Sequence, residues 1–315
     1  MKTFKQERFN FGDHMTRVTA GPGGEAILLW GSEKTALMDC GMAFCGLELV
    51  EHVKEALMEM GSGRTLDYIL LSHTHYDHIG GMTYLKEAWP NALVLGSSYA
   101  KYVLTRPGAL QVIRGLSVHA ARTFNPNIES WELDWAWKPV EIQYPDEEMK
   151  IEGILKDGDS IDLGDRMIRV IETKGHTNCS LSFFLEESCT LLASETLGCY
   201  INSGNVVAPI LKSYKETVRS IEKCRKITLK QLISPHYGKI PTEEINGYWD
   251  KARNACQLCK NVVLEAYEAG GSSKDILDVY TEKFWVGYEK NQQPKEAFLI
   301  NAKQIVSVIL KEFVI

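Results

Sequence analysis

Five of the chain's eight histidines fall in three short segments, and each segment directly follows a run that reads as a β-strand. The first is His73-Thr74-His75-Tyr76-Asp77-His78, entered from the apolar run LDYILL at 66–71. The second holds His176 and the third holds His236, which closes the run QLISP at 231–235. Loops at strand ends can converge on one rim of a sheet core, so residues distant in sequence can share a site. Such a chain reads as a mixed α/β core whose strand-end loops could meet on one rim. Imidazole nitrogen and carboxylate oxygen together suit zinc, iron or manganese. His73 and His75 are two apart, so on an extended loop they point the same way. Asp77 and His78 follow at once, where a turn could aim them at a neighbouring ion. A lone histidine is most simply a core or surface residue. A dense H-x-H-x-D-H segment with two further histidines at later strand ends predicts a metal site.

The rest of the chain supplies such a core. Short apolar runs at 14–19, 26–30 and 35–38, separated by glycine-rich turns, read as hairpin strands. Residues 46–60 have helical spacing, with Leu47, Val50, Val53, Leu57 and Met60 expected on the inner side. Gly80-Gly81 opens a helix to Trp89, and a strand follows at 92–95. Residues 149–194 return to strands, and 212–228 to a helix. After Pro241 three helical stretches follow, at 242–269, 273–286 and 294–313, with Gly270-Gly271 and Pro294 as breakers. We read 1–240 as a mixed α/β catalytic domain with an insertion at 98–148, and 241–315 as a helical extension packed on it.

Composition narrows the function classes. A net charge of -6 gives no broad basic face, so a nucleic-acid partner is not expected. No run approaches the ~18 apolar residues of a membrane span, and no membrane partner is expected. The eight cysteines are scattered and the start MKTFKQERFNF has no apolar leader core, which reads as free thiols in the cytoplasm. Cys256-Gln257-Leu258-Cys259 is a lone pair in a helical pattern and reads as two semi-buried helix cysteines rather than a zinc knuckle or redox pair. Pro145-Asp146-Glu147-Glu148 reads as a solvated acidic loop.

The segment His73–His78 resembles the signature of the metallo-β-lactamase superfamily, and further matches follow in order. Ala36-Leu37-Met38-Asp39-Cys40-Gly41 resembles the early Asp motif, Lys174-Gly175-His176-Thr177 the third-motif histidine, Ser194-Glu195-Thr196-Leu197-Gly198 the fourth motif, and Pro235-His236-Tyr237-Gly238 the last. The resemblance covers about residues 14–240 and implies an αββα sandwich of two mixed sheets with the site at one edge. It implies that His73, His75 and His176 hold a first metal, and Asp77, His78 and His236 a second. Glu195 stands where the family has a bridging Asp. One methylene longer, it could bridge both ions, bind one, or swing away. Lys174 replaces the usual proline and could bring positive charge near the site, or be a solvated loop lysine. Asp39 is implied to fix a histidine's orientation.

What the resemblance implies chemically is hydrolysis with two divalent transition-metal ions, zinc by default, with iron or manganese also suitable. A metal-bound hydroxide would attack a small ester, thioester or lactone, with Asp77 orienting the nucleophile or accepting its proton. Tyr237 could donate to the oxyanion, although core packing is the simpler reading. Aromatic residues of the insertion (Trp131, Trp135, Trp137) and of the extension (Tyr248, Trp249, Phe284, Trp285, Tyr288) could line a pocket for the small-molecule substrate; helix packing is the bland alternative. A core followed by a helical tail resembles the thioesterase-like quinolone-signal response protein, and also the hydroxyacyl-glutathione hydrolases, whose tail differs. The competing expectations are a phosphodiesterase on the same fold, and a regulatory or binding protein whose metals serve structure. A homodimer is compatible with either.

Overall fold

The computed structural model describes residues 8–12, 14–124, 149–201, 204–285 and 293–314. Trp131, Trp135, Trp137, Tyr288 and the acidic run 145–148 lie outside the described residues. The chain divides into two compact units that interleave along the sequence. One takes residues 1–171 and 183–188, the other 172–182 and 189–315.

The first unit contains a six-stranded sheet in simple sequence order: β1 (Met15–Arg17), β2 (Ile27–Trp30), β3 (Thr35–Met38), β4 (Tyr68–Leu70), β5 (Leu93–Ser97) and β6 (Gly153–Leu155). The first three are antiparallel, β1 and β2 joined through the glycine-rich loop 18–26 and β2 and β3 by the short turn 31–34. From β3 onward the pairing is parallel, with Ala36 opposite Tyr68 and Leu37 opposite Ile69. Parallel neighbours require crossovers, and helices supply them: α1 (Gly46–Glu59) before β4, then α2 (Tyr76–Ile79) and α3 (Met82–Ala88) before β5. After β5 come α4 (Ser98–Leu104) and α5 (Pro107–Phe124). Every residue of β3 is buried, as expected for a strand covered on both faces.

In α1 the buried stripe is Leu49, Val50, Val53 and Leu57. Leu47, expected inside, is 50% exposed. It lies more than a quarter turn off that stripe at 3.6 residues per turn, and Leu49 takes the inner position.

The remaining sheet has five strands in the order β13-β10-β9-β8-β7, comprising β7 (Ser160–Asp162), β8 (Met167–Glu172), β9 (Leu181–Leu185), β10 (Thr190–Leu192) and β13 (Gln231–Ile233). β7 and β8 run antiparallel, β10 and β13 parallel, so this sheet too is mixed. The second unit adds the two-stranded ribbon β11 (Cys199–Tyr200) and β12 (Val206–Val207), and the helices α6 (Tyr214–Cys224), α7 (Ile245–Glu268), α8 (Ser273–Phe284) and α9 (Lys295–Phe313). Among the described residues no helix is long and apolar enough to cross a membrane.

Candidate metal centre

Each unit carries its own group of ligand-type side chains. In the first unit, β4 ends at Leu70 and the backbone leaves the sheet as an extended loop into a single helical turn, α2. His75 caps that turn from an extended conformation (φ -74°, ψ 150°), with its carbonyl accepting from the amides of His78 and Ile79. The turn brings His73, His75 and His78 together: the His73 ring is 4.6 Å from that of His75 and 4.2 Å from that of His78. Asp77 Oδ2 lies 3.8 Å from His78 Nε2. His73 and His78 are fully buried, while His75 and Asp77 are partly open.

Two neighbouring loops pin this segment. Gly24 N donates to Asp77 O (3.0 Å), Cys40 N to His78 O (2.6 Å), and Gly80 N to Gly41 O (2.8 Å). A Cβ on Gly24 would fall 2.5 Å from the His78 ring, so glycine there lets the backbone lie against the imidazole.

Buried Asp39 sits beneath the segment, just past β3, in the left-handed region (φ 57°) that Asp tolerates better than most residues. Its carboxylate accepts from Ser72 N (2.7 Å), Ser72 Oγ (2.6 Å) and His78 Nδ1 (2.8 Å). A carboxylate only accepts, so His78 must carry its proton on Nδ1. Ser72 commits its hydroxyl proton to Asp39 and is therefore the acceptor for His73 Nδ1, 3.0 Å away. One carboxylate thus sets the tautomer of two imidazoles and leaves the lone pair of each on Nε2.

The second unit arranges His176, Glu195 and His236. His176 follows Gly175 (φ 140°), against whose backbone Thr217 packs so closely that a Cβ would lie 2.6 Å from Thr217 Cα. The amide of His176 donates to Thr196 Oγ1 (3.1 Å) and its Nδ1 to Pro209 O (2.7 Å), again placing the lone pair on Nε2. Glu195 opens a 3-10 turn, Glu195–Leu197, after β10. Its Oε2 is 2.7 Å from His176 Nε2 and its Oε1 2.6 Å from His236 Nε2. The longer side chain therefore offers one oxygen to each histidine. His236 stands on the tight turn after β13, closed by Ser234 N to Gly238 O (3.0 Å) and Ile240 N to Leu232 O (2.9 Å), with Tyr237 at φ 68°.

The residues raised as possible substrate contacts have definite places. The Lys174 ammonium lies 3.0 Å from Glu172 Oε1, both half-exposed. Tyr237 is buried, its ring 6.0 Å from that of His236. Tyr248 is fully buried and belongs to the packing rather than to a pocket lining: its hydroxyl is 2.8 Å from Gly198 O and 3.0 Å from Leu197 O, bracing the turn that carries Glu195. Burial pushes this phenol well above its ordinary range, so it remains a donor. Cys256 and Cys259 are fully buried, more so than expected. Burial raises their thiols to about 12 and about 11, which keeps them protonated at neutral pH.

Sequence reasoning passes over Ser72, Gly24, Pro209 and Thr196. Only Ser72 leaves a signal, a polar residue between a buried strand and a histidine.

The donor set fits a divalent transition metal on chemical grounds. His176 Nε2 and Glu195 Oε2 are both acceptors, facing each other at 2.7 Å. Two acceptors hold that distance only around a positive charge, a proton or a metal ion.

Comparison with known proteins agrees with this chemistry. The model of the metallo-beta-lactamase superfamily matches residues 21–261. A metallo-beta-lactamase fold-containing protein of Sulfurisphaera tokodaii is 25% identical over 253 residues, covering 79% of this chain and 84% of that protein. A hydroxyacylglutathione hydrolase of Prochlorococcus marinus is 26% identical over 166 residues, 52% of this chain; the match spans only about half of that enzyme, 48%. A solved metallo-beta-lactamase family protein of Thermus thermophilus superposes with a TM-score of 0.64 at 18% identity, over 95% of this chain and 93% of that one, a likeness of fold.

Proposed function

Since the chain belongs to the metallo-β-lactamase superfamily, with that family's mixed sheets and helices, we propose that it is a metal-dependent hydrolase of a small ester, thioester or lactone. In this reading residues 1–240 are the catalytic domain and 241–315 a helical extension. As the family resemblance implies, His73, His75 and His176 would hold one ion and Asp77, His78 and His236 another, with Glu195 standing where the family has its bridging Asp. The observation that carries the reading is the set of imidazoles whose Nδ1 protons are committed, to Ser72 for His73, to Asp39 for His78 and to Pro209 for His176. A committed Nδ1 proton fixes the tautomer and leaves the lone pair on Nε2, the state in which an imidazole can ligate a metal. Zinc, iron or manganese would satisfy the set.

Divalent ions bound there supply two things, a water whose pKa falls toward ~7 and polarisation of the substrate oxygen. The protein's own groups do the rest. Asp39 and Ser72 hold His73 and His78 in one tautomer and one direction. The partly open Asp77 carboxylate orients the attacking water and accepts its proton at Oδ. Among the substrates, the thioester has the support of the relative named a hydroxyacylglutathione hydrolase.

The test is elemental analysis of freshly purified protein followed by a panel: a hydroxyacyl-glutathione thioester, an activated ester, a lactone and bis-p-nitrophenyl phosphate. Two metal equivalents and preferred thioester or ester cleavage are expected, lost in His73→Ala/His75→Ala. Normal turnover by a folded, metal-free double variant overturns the proposal, and preferred phosphate cleavage transfers it to the phosphodiesterases.

A further inference from the structure

The segment 208–213 contributes no ligand-type side chain, yet much of the second unit's site hangs on its backbone. Pro209 O accepts from His176 Nδ1 at 2.7 Å. Lys212 N and Ser213 N donate to Gly175 O (2.9 and 3.1 Å), the residue before that histidine. This short strap therefore holds His176 at two points, its ring and its backbone. Internally the strap is closed by Ile210 N donating to Ala208 O (3.0 Å). A carbonyl orients an imidazole only if the carbonyl itself is held, and the holding comes from elsewhere in the unit.

Helix α9 does most of it. Gln304 Nε2 donates to Leu211 O at 2.8 Å. Glu312 Oε1 accepts from Ser213 Oγ at 2.6 Å and its Oε2 from Lys215 N at 3.1 Å. Ser213 in turn caps α6, accepting from Glu216 N at 3.1 Å. Glu312 thus places a carboxylate at the N-terminus of α6, where the helix dipole favours negative charge, and satisfies an amide that the helix leaves unbonded. The apolar side of α9 is buried through Ala302, Ile305, Val306, Val308 and Ile309, so the helix has little freedom to let these two side chains wander.

We propose that Gln304 and Glu312 are positioning residues for His176. By fixing the 208–213 strap they fix the Pro209 carbonyl, and through it the direction and tautomer of the imidazole. The inference rests on the reading of His176 as a metal ligand, and it assigns α9 a role in assembling the site.

The experiment compares wild type with Gln304→Leu/Glu312→Gln, which keeps side-chain volume while removing a donor and a charge. Lys303→Ala, on the exposed side of α9, is the control. Two readouts are taken. Imidazole 15N spectra of chelator-treated protein report the protonated, hydrogen-bonded Nδ1 of His176. Competition with a chromophoric chelator reports zinc affinity. The double variant is expected to lose the slowly exchanging Nδ1 proton and to bind zinc roughly tenfold more weakly or worse, with the control unchanged. A folded double variant, by circular dichroism, with both readouts at wild-type values overturns the proposal, as does one that melts earlier with both unchanged. If the double variant does not fold, the two single variants are read by the same criteria. Wild-type protein that binds no zinc, iron or manganese would sink the metal reading instead, and the imidazole spectra then decide this proposal alone.

Discussion

The two ligand groups reach the same chemical state by opposite means. In the first unit four ligand-type residues lie within six positions of sequence, and a buried carboxylate, Asp39, orients two of the imidazoles. In the second unit three residues are spread over 61 positions, from 176 to 236, and His176 is oriented by a backbone carbonyl. A side chain that orients a ligand carries its own sequence signal and its own point of failure. A carbonyl does neither: any residue supplies one, and its placement is distributed over the helices that hold the strand and loop. The first group should therefore break at single residues and the second should degrade by degrees.

The sharpest test of that contrast is Asp39→Ala. It leaves Ser72 N–H, Ser72 O–H and His78 Nδ1–H without their acceptor in a fully buried place. Each stranded donor costs about 1–3 kcal/mol, and alanine at φ 57° adds about 1 kcal/mol of backbone strain. We expect a loss on the order of 4 kcal/mol in chemical denaturation and a roughly 10–100-fold fall in metal affinity. A variant within about 1 kcal/mol of wild type would remove Asp39 from its central place.

In the second unit no single orienting group compares, and the equivalent strike is at the backbone. Gly175→Ala places a Cβ against Thr217 and forces a side chain into a φ of 140°. Strain and overpacking together should cost about 3 kcal/mol. The displacement should reach His176 through the Gly175 carbonyl, so metal affinity falls with stability. A melting shift with unchanged affinity would show that α6 and the histidine move independently.

Tyr248→Phe is gentler. It removes one hydroxyl from the carbonyls of Leu197 and Gly198 and leaves the ring packed. About 1 kcal/mol is expected, with a loss of affinity no greater than a few-fold at the site that includes Glu195. If stoichiometry drops by one ion instead, the Glu195 turn depends on that hydroxyl far more than distributed support allows.

The same contrast explains what can be read from residues alone. The mixed α/β class, the strand positions up to β5 and the helices after 241 follow from periodicity and turn chemistry, and the segment 73–78 announces itself by density. Leu47 misleads because a stripe drawn through 47, 50, 53 and 57 is only slightly wider than the one through 49, 50, 53 and 57; in the structure it is Leu49 that lies against Gly81. For Tyr248 the sequence leaves pocket lining and helix packing both open, because it shows a ring but not the carbonyls waiting for its hydroxyl. Asp39 enters through family resemblance and Ser72 leaves only the faint signal of a polar residue between strand and histidine, whereas Gly24 and Pro209 act through contacts that no local pattern encodes. Glu195, a departure in sequence, is the residue whose two oxygens each find a histidine.

Lys174 gives the smallest effect and the finest distinction. It stands two residues before His176, where a positive charge could serve a substrate, yet its ammonium is paired with Glu172 at 3.0 Å and both side chains are more than a third exposed. Exposed pairs contribute about 0–1 kcal/mol after solvent screening, so Lys174→Ala should shift stability by about 0.5 kcal/mol or less. If the pair is only a surface feature, kcat/KM for the thioester stays within about twofold and its salt dependence is unchanged. A rise in KM at constant kcat, steeper at low ionic strength, would instead mean that Lys174 leaves Glu172 for an anionic substrate. The second unit would then contribute recognition as well as a candidate ligand.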